Sequence, residues 1–185
     1  MRLEIRVAGF GGQGIVRAGL MLAMAACIHG GKNAVQTQSY GPESRGGACR
    51  SEVVISDEEI DFPKVLEADV LIAMSQQAYN TYEDTVKKGG TILLDPDLVQ
   101  KQKAHLHARV FRVPATRIAE ELGKTIVANV VMLGAFASTT RLMSAETLKQ
   151  SVLENVPGGS EKMNSAAFEK GYNYGKTLLR KKAQE

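Results

Sequence analysis

Gly9-Phe10-Gly11-Gly12-Gln13-Gly14 is the stretch on which the fold turns. Upstream, Arg2-Leu3-Glu4-Ile5-Arg6-Val7-Ala8 alternates apolar and charged residues and then closes up, the pattern of a buried strand. Downstream, Ile15 to Ile28 is rich in Ala, Leu and Met, all good helix formers. Strand, glycine turn and helix in succession predict the first half of a βαβ unit. Gly9, Gly11 and Gly14 fit G-x-G-x-x-G, and Gly12 adds a fourth position without a Cβ. Such a turn bares backbone N–H groups at the positive end of a helix, so it can hold an anion. Gln13 is the only polar side chain in it. It is available to donate to a ligand oxygen or to tie the loop to a neighbour. The bland alternative is a tight structural turn with no ligand.

Two nucleotide readings fit poorly. A dinucleotide site needs an acidic residue about 20 residues further on, at the end of the second strand. The second strand is Ala34-Val35-Gln36-Thr37-Gln38-Ser39, which ends without Asp or Glu. A Walker loop fails because no Gly-Lys-Ser/Thr follows the glycines.

The chain has 185 residues, 44% apolar and 23% charged, the balance of an ordinary soluble globular protein with one core. A single domain over residues 1–185 is expected. No apolar run reaches the ~18 uncharged residues of a membrane span. A strand begins almost at the first residue, so no signal peptide is expected and a cytoplasmic location follows by default. A net charge of +3 is too slight to imply nucleic acid, and part of it lies in Arg180-Lys181-Lys182, where a basic last turn suits a helix dipole. The two cysteines, Cys27 and Cys49, form no C-x-x-C, so this chain alone cannot ligate a four-cysteine iron–sulfur cluster. Both read as buried small apolar residues.

After Gly30-Gly31 closes the first helix, the second strand leads into Ser39-Tyr40-Gly41-Pro42-Glu43-Ser44-Arg45-Gly46-Gly47. This polar, glycine-rich loop is followed by a strand over Ala48 to Ile55. The pair reads as strand–loop–strand rather than a crossover, so the sheet is expected to be mostly parallel with a mixed part. Ala68 to Met74 reads as a buried strand, and Ser75 as the N-cap of a helix running to Lys87-Lys88 and stopped by Gly89-Gly90. Thr91 to Asp95 and Ala108 to Val113 are further strands, and Pro114 opens a short helix. His105 and His107 stand at strand spacing but lack a third ligand, so they read as surface residues. Ile126 to Thr140 is apolar nearly all round and predicts a central helix, in which a buried Asn129 needs a hydrogen-bond partner. Ser144 to Glu154 is a short amphipathic helix, and Ser160 to about Lys182 a terminal one despite Gly171 and Gly175. No catalytic constellation is present: there is no G-x-S-x-G, no HExxH and no poised carboxylate pair.

The two glycine-rich loops in this order resemble those of the gamma subunit of 2-oxoacid:ferredoxin oxidoreductases. The resemblance continues through Asp69 to Gln76 and Ala128 to Ala135, and on to Asn164, Ala167, Phe168 and Gly171-Tyr172. It therefore covers almost the whole chain. It implies a Rossmann-like, three-layer α/β/α domain packed on alpha, beta and delta subunits in an enzyme that decarboxylates a 2-oxoacid, the 2-oxoglutarate type being preferred. It implies that thiamine diphosphate and the iron–sulfur clusters belong to those partners, that ferredoxin accepts the electrons, and that coenzyme A takes the acyl group. The isolated chain would bind no cofactor by itself and be inactive. The gamma part would help form the coenzyme A side of the active site, with Gly9, Gly11, Gly12, Gln13 and Gly14 in one loop and Ser39, Tyr40, Gly41, Pro42, Glu43, Arg45, Gly46 and Gly47 in the other. A glycine-rich helix N-terminus and the bidentate fork of Arg45 suit the phosphates of coenzyme A. Arg45 is equally able to pair with Glu43 or an acidic partner surface. An oxidoreductase placing Arg45 on the 2′-phosphate of NADP, and a purely structural assembly subunit, are the alternatives.

Overall fold

The structure is a computed structural model that describes residues 1–39, 48–104 and 107–182. The first strand, β1 (Arg2–Phe10), is central to a six-stranded sheet. The helix α1 (Ile15–Met24) follows, and its last turn widens into a π-helical turn over Ala25–His29. Then come β2 (Asn33–Gln38), β3 (Ala48–Ser56), β4 (Ala68–Ala73), α2 (Gln76–Tyr82), β5 (Val86–Leu94), β6 (Arg109–Arg112) and α3 (Ala115–Glu121). Three helices close the chain: α4 (Ala128–Thr140), α5 (Ala145–Glu154) and α6 (Glu161–Lys182).

The sheet order is β2-β3-β1-β4-β5-β6. β3 runs antiparallel to both β1 and β2, while β1, β4, β5 and β6 pair in parallel. Five strands therefore share one direction and β3 alone opposes them, giving the mostly parallel, mixed sheet. β2 is not the neighbour of β1, because β3 lies between them. The acidic residue of a dinucleotide fold has no equivalent place here.

Alternation along the strands sorts the two faces. Leu3, Ile5, Val7, Val70, Ile72 and Leu93 join the main core with α1, α3, α4, α5 and α6. Leu71, Ala73, Ile92 and Leu94 face the other way, onto Tyr79 of α2 and Val99. The second layer is thin, and a polar stripe runs beneath it. Arg6 is buried there, with Nε donating to Glu52 Oε1 at 2.8 Å and Nη1 to Thr85 Oγ1 at 2.7 Å, while its guanidinium lies 4.8 Å from the Tyr82 ring centre.

Ser75 caps α2 as expected, its hydroxyl accepting from Ala78 N–H at 3.1 Å. The expected run of that helix to Lys87-Lys88 is corrected: α2 ends at Tyr82, and after a 3₁₀ turn over Glu83–Thr85 the chain is already β5 at Val86. The partners of Lys87 explain why. Its Nζ lies 3.0 Å from Asp69 on β4 and 3.6 Å from Glu4 on β1, so the segment is held against the sheet. Residues 87–90 bulge opposite Asp69 alone, and Gly89, at φ 81, donates to His107 O at 2.6 Å. A second correction concerns Cys27, which is exposed on the π turn; Cys49 is buried as expected.

α4 is buried from Ala128 to Thr139 and is the axle of the helical layer. It packs on α6 at glycine contacts. A Cβ on Gly171 would overlap the backbone carbonyl of Val131, and one on Gly134 would overlap that of Phe168. Gly171, which seemed to weaken α6, is therefore a position where helix backbones meet closely, and at Gly175 a Cβ would overlap the Ser138 hydroxyl of α4.

Candidate functional site

The carboxyl end of β1 is the point where the chain order reverses, with β3 and β2 on one side and β4, β5 and β6 on the other. In open α/β sheets such a point is the usual ligand crevice. The first glycine loop sits there. Gly12 has φ 93 and Gly14 φ 72, backbone conformations that L side chains resist. Gly14 is the N-cap of α1, with no side-chain cap and no acidic residue in the first turn. The first-turn N–H groups and the positive end of the helix are thus left for an oxygen ligand or a partner.

Two side-chain amides clamp this loop. Gln13 Oε1 accepts from Phe10 N–H at 2.7 Å, and Gln13 Nε2 donates to Met74 O, just beyond β4, at 2.8 Å. The tie to a neighbour is the role seen for Gln13. Its amide crosses the crevice between the ends of β1 and β4. From the other side, Asn129 Nδ2 donates to Gly14 O at 3.1 Å, and Asn129 Oδ1 accepts from Val130 N–H at 2.9 Å. This is the partner that a buried Asn129 required.

The loop then opens the other way, into a cleft of about 890 Å³ between α1, the start of α4 and the segment that enters α6. That volume lies within the range of small-molecule and cofactor sites. Gly11, Gly12 and Gly14 form its floor, and Phe10, Ile15, Leu20, Ile126 and Met163 its apolar wall. Arg17 and Lys124 are exposed cations on its lining, and neither has an ion-pair partner among the described residues. Asn129, Ser160 and Asn164 supply uncharged polar groups. Cys49 also lines it, but burial pushes its thiol above the usual range, so it stays protonated and is no nucleophile at neutral pH. Among the described residues no group of His, Cys, Asp and Glu is placed to hold a metal ion. The cleft can bind an elongated ligand with an anionic end and an apolar stem, and among its described lining residues none is placed as a nucleophile or a metal ligand.

Of the residues singled out in the sequence, Gly9, Gly11, Gly12, Gln13 and Gly14 come together here. Tyr40, Gly41, Pro42, Glu43, Arg45, Gly46 and Gly47 lie outside the described residues, as does His105. The ends of their loop are in view. Ser39 N–H donates to Arg50 O at 3.2 Å, and Ala48 and Cys49 are the register partners of Phe10 and Gly9. The second loop therefore leaves and re-enters the sheet at the same end as the first. Arg17, Lys124 and residues 156–160 were missed. Arg17 stands on α1 just after the loop but belongs to no motif, and Lys124 and residues 156–160 meet the loop only through the packing of α4 and α6. No helix among the described residues is long and apolar enough to cross a membrane.

Residues 4–174 match the family model described as pyruvate ferredoxin/flavodoxin oxidoreductase. The chain is 53% identical over 180 residues to 2-oxoglutarate synthase subunit KorC of Methanocaldococcus jannaschii, with 96% of each chain covered. It is 52% identical over 177 residues to the subunit of the same name from Methanothermobacter marburgensis, covering 92% of this chain and 95% of that one. Among solved structures, the gamma subunit of a keto/oxoacid ferredoxin oxidoreductase from Geobacter sulfurreducens superposes with a TM-score of 0.86 at 41% identity, over 95% of this chain and 97% of that one. The 2-oxoglutarate:ferredoxin oxidoreductase of Magnetococcus marinus, solved with 2-oxoglutarate, coenzyme A and succinyl-CoA bound, superposes with a TM-score of 0.84 at 27% identity, over 96% of this chain and 31% of that one.

Proposed function

This chain belongs to the pyruvate ferredoxin/flavodoxin oxidoreductase family, and from that premise we propose that it is the gamma subunit of a multi-subunit 2-oxoacid:ferredoxin oxidoreductase of the 2-oxoglutarate type. Residues 1–185 serve as one gamma domain. The complex, in the cytoplasm, decarboxylates 2-oxoglutarate oxidatively, passes electrons to ferredoxin and passes the acyl group to coenzyme A. Alpha, beta and delta subunits hold the thiamine diphosphate and the iron–sulfur clusters. This agrees with a chain that has two cysteines, no C-x-x-C and no catalytic constellation.

The gamma chain forms part of the coenzyme A side of the active site. The observation that carries this reading is the cleft that opens from the uncapped N-terminus of α1. The residues present fit the group. Coenzyme A has phosphates at one end and a long stem leading to its thiol, the group that accepts the acyl. The α1 amides with Arg17 and Lys124 suit the phosphates, and the wall of Phe10, Ile15, Leu20 and Ile126 suits the stem. Gly11, Gly12 and Gly14 keep the backbone approachable, Gly9 leaves room for the Gln13 side chain, and Gln13 fixes the loop. Ser39, Tyr40, Gly41, Pro42, Glu43, Arg45, Gly46 and Gly47 complete the site from the neighbouring loop, with Arg45 on a phosphate. NADP is the weaker ligand, because the Gln13 amide crosses the switch-point crevice and β2 is not beside β1.

Arg45→Ala and Arg17→Ala in the assembled complex test the reading. Loss of a charge-assisted contact costs about 1.5–3 kcal/mol, or roughly ten- to a hundredfold in affinity. The apparent KM for coenzyme A should rise by that factor, with the KM for 2-oxoglutarate unmoved. Carbon dioxide release in the first turnover should be nearly intact, because decarboxylation comes before acyl transfer. Arg45→Lys should recover only part of the loss. Normal assembly with unchanged coenzyme A dependence in both variants would sink the proposal. One observation favours a second reading, that of a purely structural subunit: Phe10, Leu20 and Ile126 are 39%, 39% and 57% exposed around the cleft, as a protein contact would be. That reading expects the variants to weaken assembly, seen by gel filtration, and nothing else.

A further inference from the structure

We propose that two copies of this chain associate edge to edge through β2, continuing the sheet across a twofold axis at Val35. This does not depend on the coenzyme A reading. The sheet has two edges, and the chain treats them differently. β6 is four residues long and has Arg109 and Arg112 at its ends, a common way of blunting an exposed edge. β2 runs six residues, Asn33-Ala34-Val35-Gln36-Thr37-Gln38, with no charge, no proline and an unbroken register against β3. Neutral, regular edges of this kind are templates for another strand.

The direction of its backbone groups follows from the ladder. Ser39 N–H donates to Arg50 O, and the same register pairs Thr37 with Glu52 and Val35 with Val54. Hydrogen-bonded pairs alternate in an antiparallel ladder. Asn33, Val35 and Thr37 therefore bond to β3, and Ala34 and Gln36 turn their N–H and C=O groups outward. The other side of β3 agrees: Asp57 N–H donates to Met1 O, so its odd-numbered residues bond to β1 and its even-numbered ones to β2. Among the described residues no hydrogen bond is made to the outward groups of Ala34 and Gln36.

The occupant follows from the side chains. Ala34 packs on the main core, and Gln36 reaches Val16 O and Ser51 Oγ at 2.9 and 2.7 Å, so both face α1. Val35 and Thr37 are half-buried and face the other way. In an antiparallel pair of two β2 strands, Ala34 and Gln36 of one copy exchange hydrogen bonds with Gln36 and Ala34 of the other. Val35 then meets Val35 across the axis in a non-hydrogen-bonded pair, where side chains stand closest. Asn33 meets Thr37 on either side. A β-branched apolar pair on the axis and uncharged polar pairs beside it are favourable, and no like charges oppose. The strand is complementary to itself.

The test uses the full chain with exposed Cys27 replaced by Ser. Val35→Cys should give a disulfide-linked species at twice the 20.0 kDa chain mass under mild oxidation, because facing residues of such a pair lie within disulfide reach. Ala34→Cys, on the other face, should not. Unmodified chain should move from monomer to dimer mass with concentration in sedimentation. Ala34→Pro, which removes an outward N–H and leaves the β3 ladder whole, should stay a monomer. If Ala34→Pro fails to fold, Val35→Lys places two ammonium groups opposite each other and should likewise stay a monomer. Monomer mass at every concentration without a Val35→Cys cross-link would overturn the proposal. So would equal cross-linking by Ala34→Cys, or a dimer that survives Val35→Lys.

Discussion

Gln13 and Asn129 hold the glycine loop from opposite sides, and their effects can be measured apart from any ligand. Gln13→Leu removes two hydrogen bonds and strands Phe10 N–H and Met74 O. At about 0.5–1.5 kcal/mol per bond, stability in urea should fall by about 1–3 kcal/mol. Gln13→Glu keeps an acceptor for Phe10 but sets a carboxylate against the Met74 carbonyl, so it should recover no more than half. Unchanged stability in both variants would mean that the amide ties are not made. The cysteines give a second check at this scale. Cys27 is exposed, and Cys49 is buried with its thiol pushed up. Iodoacetamide at pH 8 should label Cys27 first and Cys49 slowly, read by mass spectrometry of the digested chain. Equal rates would contradict the burial of Cys49.

Among the elements, the α4–α6 contact is where close packing outweighs helix propensity. Gly171→Ala gains about 1 kcal/mol of intrinsic helix preference. Against this, its Cβ overlaps the backbone of Val131, which cannot rotate aside. Overpacking costs about 1–3 kcal/mol and stands at the upper end when backbone is the obstacle. The net loss should be about 2 kcal/mol, or a fall in Tm of about 4–8 °C for a chain of this size. A raised Tm would show that α6 does not approach α4 closely. The same contact marks the limit of reading the sequence. Alternation along β1, the apolar girth of α4 and the cap at Ser75 depend on neighbours in the chain and were legible. That Gly171 serves packing depends on Val131, 40 residues away in sequence, and was not. The early end of α2 was hidden for a similar reason: Lys87 answers to Asp69 and Glu4, which no helical periodicity reveals. In the site, the glycine loop announced itself by spacing, while Arg17 and Lys124 gained a role only when α4 came to lie beside α1.

For the whole molecule, one acid-sensitive clasp joins the amino ends of β1 and β2 to the carboxyl end of β3. Asp57, just after β3, accepts from Lys32 before β2 and from the amino terminus of β1. These contacts lower its pKa from 3.8 to about 2. A carboxylate with a depressed folded pKa contributes stability that is present above its unfolded value and lost as pH falls through the folded one. Stability should therefore decline between about pH 4 and 2, and Asp57→Asn should flatten that part of the profile; identical acid profiles would rule the clasp out. The proposed meeting point of this gamma chain with coenzyme A is the cleft at the end of β1. Its most direct test is hydrogen–deuterium exchange of the gamma chain in the intact complex, with and without coenzyme A. Slowed exchange confined to residues 9–20, 124–130 and 156–164 is the expected result. No change there on binding, or protection confined to the opposite end of the sheet, would contradict it.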